Sequence, residues 1–217
     1  MGKTPRILLT GFTPFGGEAI NPSWEAVRVL HEQRIAGHRV VARLLSTAFE
    51  ESRRELEQAV GEIEPAIMIG VGQAGGRSRL SIERVAINVQ DARLPDNAGS
   101  QPIDEPVIAG GQAAYFSTLP IKAMLAAVQG TDIPVEISNT AGTYVCNHVA
   151  YLMLHLAAAR PGIRAGFIHI PYLPAQAARF PNMPSMASED VVRGLTVAMQ
   201  AAATHLVDDK LGAGTLD

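Results

Sequence analysis

Apolar residues recur along the chain with two periods. Short aliphatic or β-branched runs alternate with longer stretches in which apolar positions return every three or four residues. That alternation predicts a layered α/β domain. The run Ile7-Leu-Leu-Thr10 suits a strand covered on both faces. Asn21-Pro22 reads as a helix N-cap followed by proline at the first helical position, with Trp24, Val27 and Leu30 on one side. Positions 39–45 predict a second strand, and Phe49, Leu56, Val60 and Ile63 a helix ending before Pro65. A third, buried strand covers 66–71. From Leu80 to Val89 the alternation changes phase between Ile82 and Val85, which predicts two strands or one with a bulge. Turn-formers crowd 91–111 and leave little room for a long element. Ile121, Met124, Leu125 and Val128 mark a helix stopped at Gly130. Beyond it the pattern predicts a strand at 135–138, a helix from about Tyr144 to Arg160 and a strand at 165–170. The closing helix is expected to be capped by Ser188, with Glu189 and Asp190 in its first turn. No repeat, low-complexity tract or linker divides the chain, so 1–217 is expected to be a single domain.

Composition narrows the function classes. With 47 % hydrophobic and 18 % charged residues the chain is globular in type, and a net charge of −3 offers no basic face to nucleic acid. One cysteine cannot close an intrachain disulfide, so an oxidising compartment is not indicated. The longest apolar helical pattern, 149–159, contains His155 and is too short to span a bilayer. Arg6 stands where an N-myristoylation signal needs Ser or Thr. A soluble, cytoplasmic protein without a membrane partner is expected.

The single cysteine, Cys146, falls just past a β-branched run and at the start of a long apolar helical pattern. A helix N-terminus lowers a thiol pKa through its unpaired N–H groups and dipole, which marks Cys146 as a candidate nucleophile. A cysteine hydrolase also needs an imidazole and a group that fixes its tautomer. His31, His38 and His205 read as solvated, and His155 has no partner by spacing. His148 is turned roughly 200° from Cys146 around the helix, at about 100° per residue. His169 interrupts an apolar strand at its C-terminal end, before Pro171, where sites of open α/β sheets gather. It is either a hydrogen-bonded core residue or a catalytic base. Glu83 is either the third catalytic group or an exposed strand residue paired with Arg84 or Arg79.

Two rival chemistries are visible. Gly70-Val-Gly72-Gln-Ala-Gly75 matches the dinucleotide-binding string, but the next segment, Arg77-Ser-Arg-Leu-Ser-Ile82, alternates like a strand and supplies no helix N-terminus for a pyrophosphate. A dinucleotide-dependent oxidoreductase is therefore the alternative, and a non-catalytic binding module a second one. His31-Glu32 does not continue to H-E-x-x-H, and Cys146 and His148 have no further ligands at metal spacing, so no metal site is expected.

Six blocks in order then resemble one family. Gly11-Phe-Thr-Pro-Phe-Gly-Gly17 with Asn21-Pro-Ser23, Gly72-Gln-Ala-Gly-Gly76, Glu83-Arg-Val-Ala-Ile-Asn88, Asp91-Ala-Arg-Leu-Pro-Asp-Asn97, Ser138-Asn-Thr-Ala-Gly-Thr-Tyr-Val-Cys-Asn147 and His169-Ile-Pro-Tyr172 are similar to the type I, cysteine-dependent pyroglutamyl peptidases. The resemblance implies a three-layer α/β/α sandwich around a mixed, mostly parallel sheet, and a triad of Cys146, His169 and Glu83. It implies removal of N-terminal 5-oxoproline from peptides, no cofactor, a cytoplasmic location and a homo-oligomer, dimer or tetramer. It also implies that Phe12 and Phe15 flank the lactam ring, that the backbone of Gln73 meets it, and that Arg93 lies near the oxyanion. Asn21, though already a cap, is a further candidate contact. Tyr144 stands where the family has Tyr or Phe, and its hydroxyl needs a partner if it faces an apolar ring. The pocket is expected to hold aromatics and backbone groups, with no carboxylate to greet an amino-terminal charge. The segment after Asp104, with Pro106, Val107, Ile108 and Phe116, is a candidate interface.

Overall fold

The computed structural model describes residues 4–214; the outermost three positions at each end of the expected single domain lie outside the described residues. Its strands are β1 (Arg6–Phe12), β2 (Arg34–Ile35), β3 (His38–Leu45), β4 (Ile67–Gln73), β5 (Leu80–Glu83), β6 (Val85–Ile87), β7 (Ala114–Phe116), β8 (Val135–Ser138) and β9 (Arg164–Ile170). Its helices are α1 (Pro22–Arg28), α2 (Phe49–Ile63), α3 (Ile121–Gln129), α4 (Val145–Ala158), α5 (Pro174–Ala177) and α6 (Ser188–Thr204). Seven strands form one sheet in the order β2-β3-β1-β4-β9-β5-β8, while β6 and β7 pair as a separate antiparallel ribbon.

The sheet is mixed and mostly parallel. Strands β3, β1, β4 and β9 run the same way, and β5 with β8 form a second parallel pair set antiparallel to β9. Strand alternation sends Ile7, Leu9, Ile67 and Ile69 into a core shared with α1, α3 and α6. Leu8, Met68 and Phe167 face the opposite core, against α2 and α4. Three layers result, as expected. The interior β4 is fully buried until Gln73, in keeping with its unbroken apolar run.

Helix starts obey the local chemistry only in part. Asn21 caps α1 by accepting from the Ser23 N–H at 3.1 Å. Helix α2 has Ala48 at its cap position and borrows a cap from far away: Asp96 Oδ2 accepts the Phe49 N–H at 2.8 Å. Ser188 is not the cap of α6 but its first residue. Ala187 occupies the cap position and no side chain caps that end, so the acidic Glu189 and Asp190 are left to complement the first turn.

The phase change after Ile82 marks two strands that leave for different sheets, β5 for the main one and β6 for the ribbon. The turn-rich 91–111 carries no helix or strand, and a backbone bridge between Gln90 and Glu105 closes it. Part of the expected interface segment is corrected by packing: Val107 is buried and Ile108 packs on the α2/α4 core, whereas Phe116 is 69 % exposed. No helix among the described residues is long and apolar enough to cross a membrane.

Candidate active site

Strand β9 delivers His169 near its end, 4 % exposed and in register with Gly72 of β4. On its other side β9 meets β5 antiparallel, with Ser81 opposite His169. Side chains two apart share a face, so Glu83 lies diagonal to His169. The two meet: His169 Nδ1 lies 2.7 Å from Glu83 Oε1. An ionised carboxylate only accepts, so Nδ1 carries the proton and Nε2 is the free ring nitrogen. Glu83 is therefore not an exposed strand residue paired with Arg84 or Arg79; it is 2 % exposed. Phe12 and Gln73, the last residues of β1 and β4, line the cavity with His169, so the C-terminal ends of the parallel strands do gather here; Glu83 ends β5, which runs antiparallel to β9.

Glu83 has a second partner that sequence reasoning missed. Arg77 Nη1 donates to the same Oε1 at 2.7 Å, and Nη2 donates to the Thr140 carbonyl at 3.0 Å. Oε2 has no partner among the described residues. An Arg six positions ahead of a strand carboxylate carries no spacing signal, since the turn at 74–79 decides which of the nearby arginines folds back. Arg84 instead bonds Asn139 and the Ala213 carbonyl.

Cys146 is the second residue of α4, as its place in the sequence predicts. Its sulfur packs down on the sheet, where a Cβ added to Gly72 would stand 2.7 Å from Sγ. The thiol's surroundings raise its pKa instead of lowering it. Burial pushes it up to about 12, the Glu83 charge adds to the rise, and Arg77 opposes it. The expected low thiol pKa is corrected on that ground: desolvation of the thiolate and the neighbouring Glu83 charge raise it.

The helix end itself is open. Tyr144 at the cap position makes no side-chain cap, so among the described residues the first-turn N–H groups of α4 receive no side-chain acceptor. Asn147 fixes this turn against the chain after β6, accepting from the Ile87 N–H at 3.0 Å and donating to the Ile87 and Val89 carbonyls.

A cavity of about 350 Å³ opens over the sulfur, and Cys146, His169, Phe12, Phe15, Gln73, Tyr144, Asn21 and Arg93 all line it. Tyr144 packs near Phe15 at 6.4 Å between ring centroids, and its hydroxyl donates to the Pro95 carbonyl at 3.1 Å, which leaves the ring as an apolar wall. The polar atoms of Asn21 are consumed by Ser23 and by the Thr13 carbonyl. The Gln73 side chain is turned away to Gln176, whose Nε2 lies 3.2 Å from Gln73 Oε1. Asp91, Thr47 and Arg77 line the cavity as well, although the sequence carries no signal that marks their side chains. Asp91 corrects the expectation of a carboxylate-free pocket.

The other histidines separate cleanly. Among the described residues His148 is buried without a hydrogen-bond partner, on the side of α4 that packs against Phe49. His155 does have a partner, the Tyr115 hydroxyl at 3.0 Å, brought from 40 positions away. His31 and His205 are exposed, and His38 is half-buried. Among the described residues no group of three or more His, Cys, Asp or Glu could hold a metal ion.

The glycine string belongs to this site and to no dinucleotide. Its residues end β4 and pass through a turn into β5, with no helix. Each glycine receives a side chain of the protein itself: added Cβ atoms would collide with the Phe167 ring at Gly70, with Cys146 Sγ at Gly72 and with Tyr172 at Gly75.

A thiol, an imidazole and a carboxylate gathered on one face of a mostly parallel sheet place the chain among α/β cysteine hydrolases. The family model described as pyroglutamyl peptidase matches residues 5–205. A pyrrolidone-carboxylate peptidase of Klebsiella pneumoniae is 54 % identical over 208 residues, 96 % of this chain and 97 % of that protein. A pyrrolidone-carboxylate peptidase 1 of Ralstonia nicotianae is 54 % identical over 214 residues, 98 % of this chain and 99 % of the other. The crystal structure of pyroglutamyl peptidase I from Bacillus amyloliquefaciens superposes with a TM-score of 0.94 at 43 % identity, covering 97 % of this chain and 100 % of that one. The chain belongs to the pyroglutamyl peptidase family.

Proposed function

We propose that the protein hydrolyses the amide bond after an N-terminal pyroglutamyl residue of peptides, with Cys146 as nucleophile, His169 as acid and base, and Glu83 as the group that orients His169. The observation that carries this assignment is the 2.7 Å contact between His169 Nδ1 and Glu83 Oε1, behind a cavity that His169 lines together with the chain's only thiol. As Sγ attacks the carbonyl carbon the thiol proton passes to His169 Nε2, the ring nitrogen that the Glu83 contact leaves free. The carbonyl electrons move to oxygen. Support for an oxyanion site comes from the uncapped first turn of α4 and from Arg93, which lines the cavity without a partner among the described residues. As the carbon–nitrogen bond breaks, His169 returns the proton to the leaving amine. Water then attacks the thioester, giving one proton to His169, and the thiol is recovered as free pyroglutamate departs.

Phe12, Phe15 and Tyr144 supply an apolar slot for the lactam ring, and the backbone of Gln73 pairs with its amide, consistent with a Gln73 side chain engaged elsewhere. Asn21 acts indirectly, by fixing the Thr13 carbonyl at the root of the Phe15 loop. The same assignment carries a cytoplasmic location and a homo-oligomer, dimer or tetramer; the exposed Phe116 and Ile103 support an association surface.

Pyroglutamyl-coumarin amide, incubated with the protein before and after iodoacetamide, tests the proposal. Turnover that disappears on alkylation is expected. Prolyl-coumarin amide is expected to be at least about 10⁴-fold poorer, because a site that pairs a neutral lactam leaves its own groups unpaired when proline enters. Comparable kcat/KM on both substrates, or turnover that survives alkylation, overturns it.

A further inference from the structure

A carboxylate 2 % exposed needs a counter-charge, and a neutral imidazole is not one. Arg77 is the cation that meets it. Its guanidinium, with a side chain 27 % exposed, reaches from the cavity wall to the same oxygen that His169 uses. Both donors sit at 2.7 Å on Oε1 while Oε2 is left without a partner among the described residues. A carboxylate held only by His169 could turn its other oxygen toward the ring. With a second N–H fixed on Oε1, the carboxylate plane and the acceptor offered to Nδ1 are set. Arg77 is itself anchored by the Thr140 carbonyl, in the loop that leads into α4 and Cys146. One guanidinium thus ties the carboxylate behind the imidazole to the segment that presents the sulfur.

We infer that Arg77 is a positioning residue of the reaction: it holds the Glu83 carboxylate aimed at His169, and by sharing Oε1 it limits how firmly the carboxylate holds the imidazolium that forms during attack. This rests on the assignment of Cys146, His169 and Glu83 above. The chemistry behind it is charge balance. An imidazolium facing an undivided buried carboxylate is overstabilised and gives its proton to the leaving amine reluctantly. Arg77 also opposes the rise of the thiol that burial and Glu83 cause, so its loss moves the thiol further up.

The test compares Arg77→Met and Arg77→Gln with the unmodified protein, each alone and combined with Glu83→Gln. Two quantities are followed against pH: kcat/KM for pyroglutamyl-coumarin amide and the rate of Cys146 alkylation by iodoacetamide. Loss of Arg77 is expected to lower kcat/KM about tenfold to a hundredfold, the usual range for an outer partner of a functional ligand, with the fall in kcat and little change in KM. The pH profile and the alkylation curve should both move toward higher pH. In the Glu83→Gln background the same replacements should cost only a few-fold more, because no carboxylate remains to be held. Arg77→Gln keeps a donor of similar shape and serves if the Met variant does not fold. A rise in KM with an unmoved pH profile would make Arg77 a substrate contact and overturn the inference, and so would an equal loss with and without Glu83. Cys146→Ala and His169→Ala, assayed alongside, separate the two levels. If either retains activity, the underlying assignment fails; if both are inactive while the Arg77 variants behave as wild type, only the inference fails.

Discussion

Two imidazoles in this fold are almost equally buried and have opposite surroundings. His148 on α4 is 2 % exposed and His169 on β9 is 4 % exposed. His169 has a carboxylate on Nδ1 at 2.7 Å and a cavity before it. His148 has an edge-on phenyl ring, Phe49, at 5.4 Å between centroids, and among the described residues no hydrogen-bond partner on either nitrogen. Burial and the Arg53 charge push it down to about 4, although the nearby Phe49 backbone favours its charged form slightly. Burial alone therefore makes an imidazole a neutral piece of core. A partner that accepts from one nitrogen and leaves the other open makes it useful for moving a proton.

Exchanging the losses at these two positions is the most direct way to break the comparison. His169→Ala should cost nearly as much as Cys146→Ala, on the order of 10⁴-fold or more in kcat, because members of such a unit fail together. His148→Phe should stay within a few-fold of wild type. Activity above about a hundredth of wild type in Cys146→Ala, or a dead His148→Phe beside an active His169→Ala, would refute the assignment.

Glu83→Gln sharpens the comparison by giving His169 a neutral neighbour. The amide can donate as well as accept, so the tautomer is no longer fixed. The expected loss is smaller than the roughly 10⁴-fold that a serine triad suffers without its carboxylate, since a thiol parts with its proton more readily than a hydroxyl. Steady-state kinetics over a pH series checks this. A loss equal to that of His169→Ala would mean that Glu83 does more than orient the ring.

The smallest effect concerns stability. His148 is held neutral in the folded protein, with its pKa lowered from 6.5 to about 4. Between those values the unfolded chain binds the extra proton and the folded one does not, so stability is intact above 6.5 and declines as pH falls toward 4. At about 1.4 kcal/mol per pKa unit, the full decline from this one group is about 3 to 4 kcal/mol. Urea midpoints for the wild type should fall over that window, and those of His148→Phe should fall less. Parallel declines in the two proteins would assign the acid sensitivity to other groups.

Much of this architecture is legible in the sequence because it rests on local signals. Asn21-Pro22 does open α1, and the spacing of Phe49, Leu56, Val60 and Ile63 does bury one face of α2. The elements that escaped, β2, β7 and α5, are two to four residues long, shorter than any period that could betray them. For the site, the thiol at a helix start was legible, and so was an imidazole at a strand end. The contact between Glu83 and His169 was not derivable from spacing. It spans 86 positions and depends on β5 running against β9, a choice made by the whole sheet. The depth of Cys146 was equally hidden, because α4 is apolar around most of its circumference and the sequence does not say which flank meets β4. Nor could the glycine string announce its use, since the side chains that fill it come from Cys146, Phe167 and Tyr172.

The absence of a side chain at Gly72 governs direction as well as space. With strand backbone directly beneath the sulfur, where a methyl group would lie 2.7 Å from Sγ, the nucleophile has a floor. Electrophiles can reach it through one hemisphere only, the one that opens into the cavity. A planar amide entering there must present one of its two faces to the sulfur, and the departing nitrogen must leave on the side where His169 waits. Handedness of attack is in this way written into the protein by an atom that is missing.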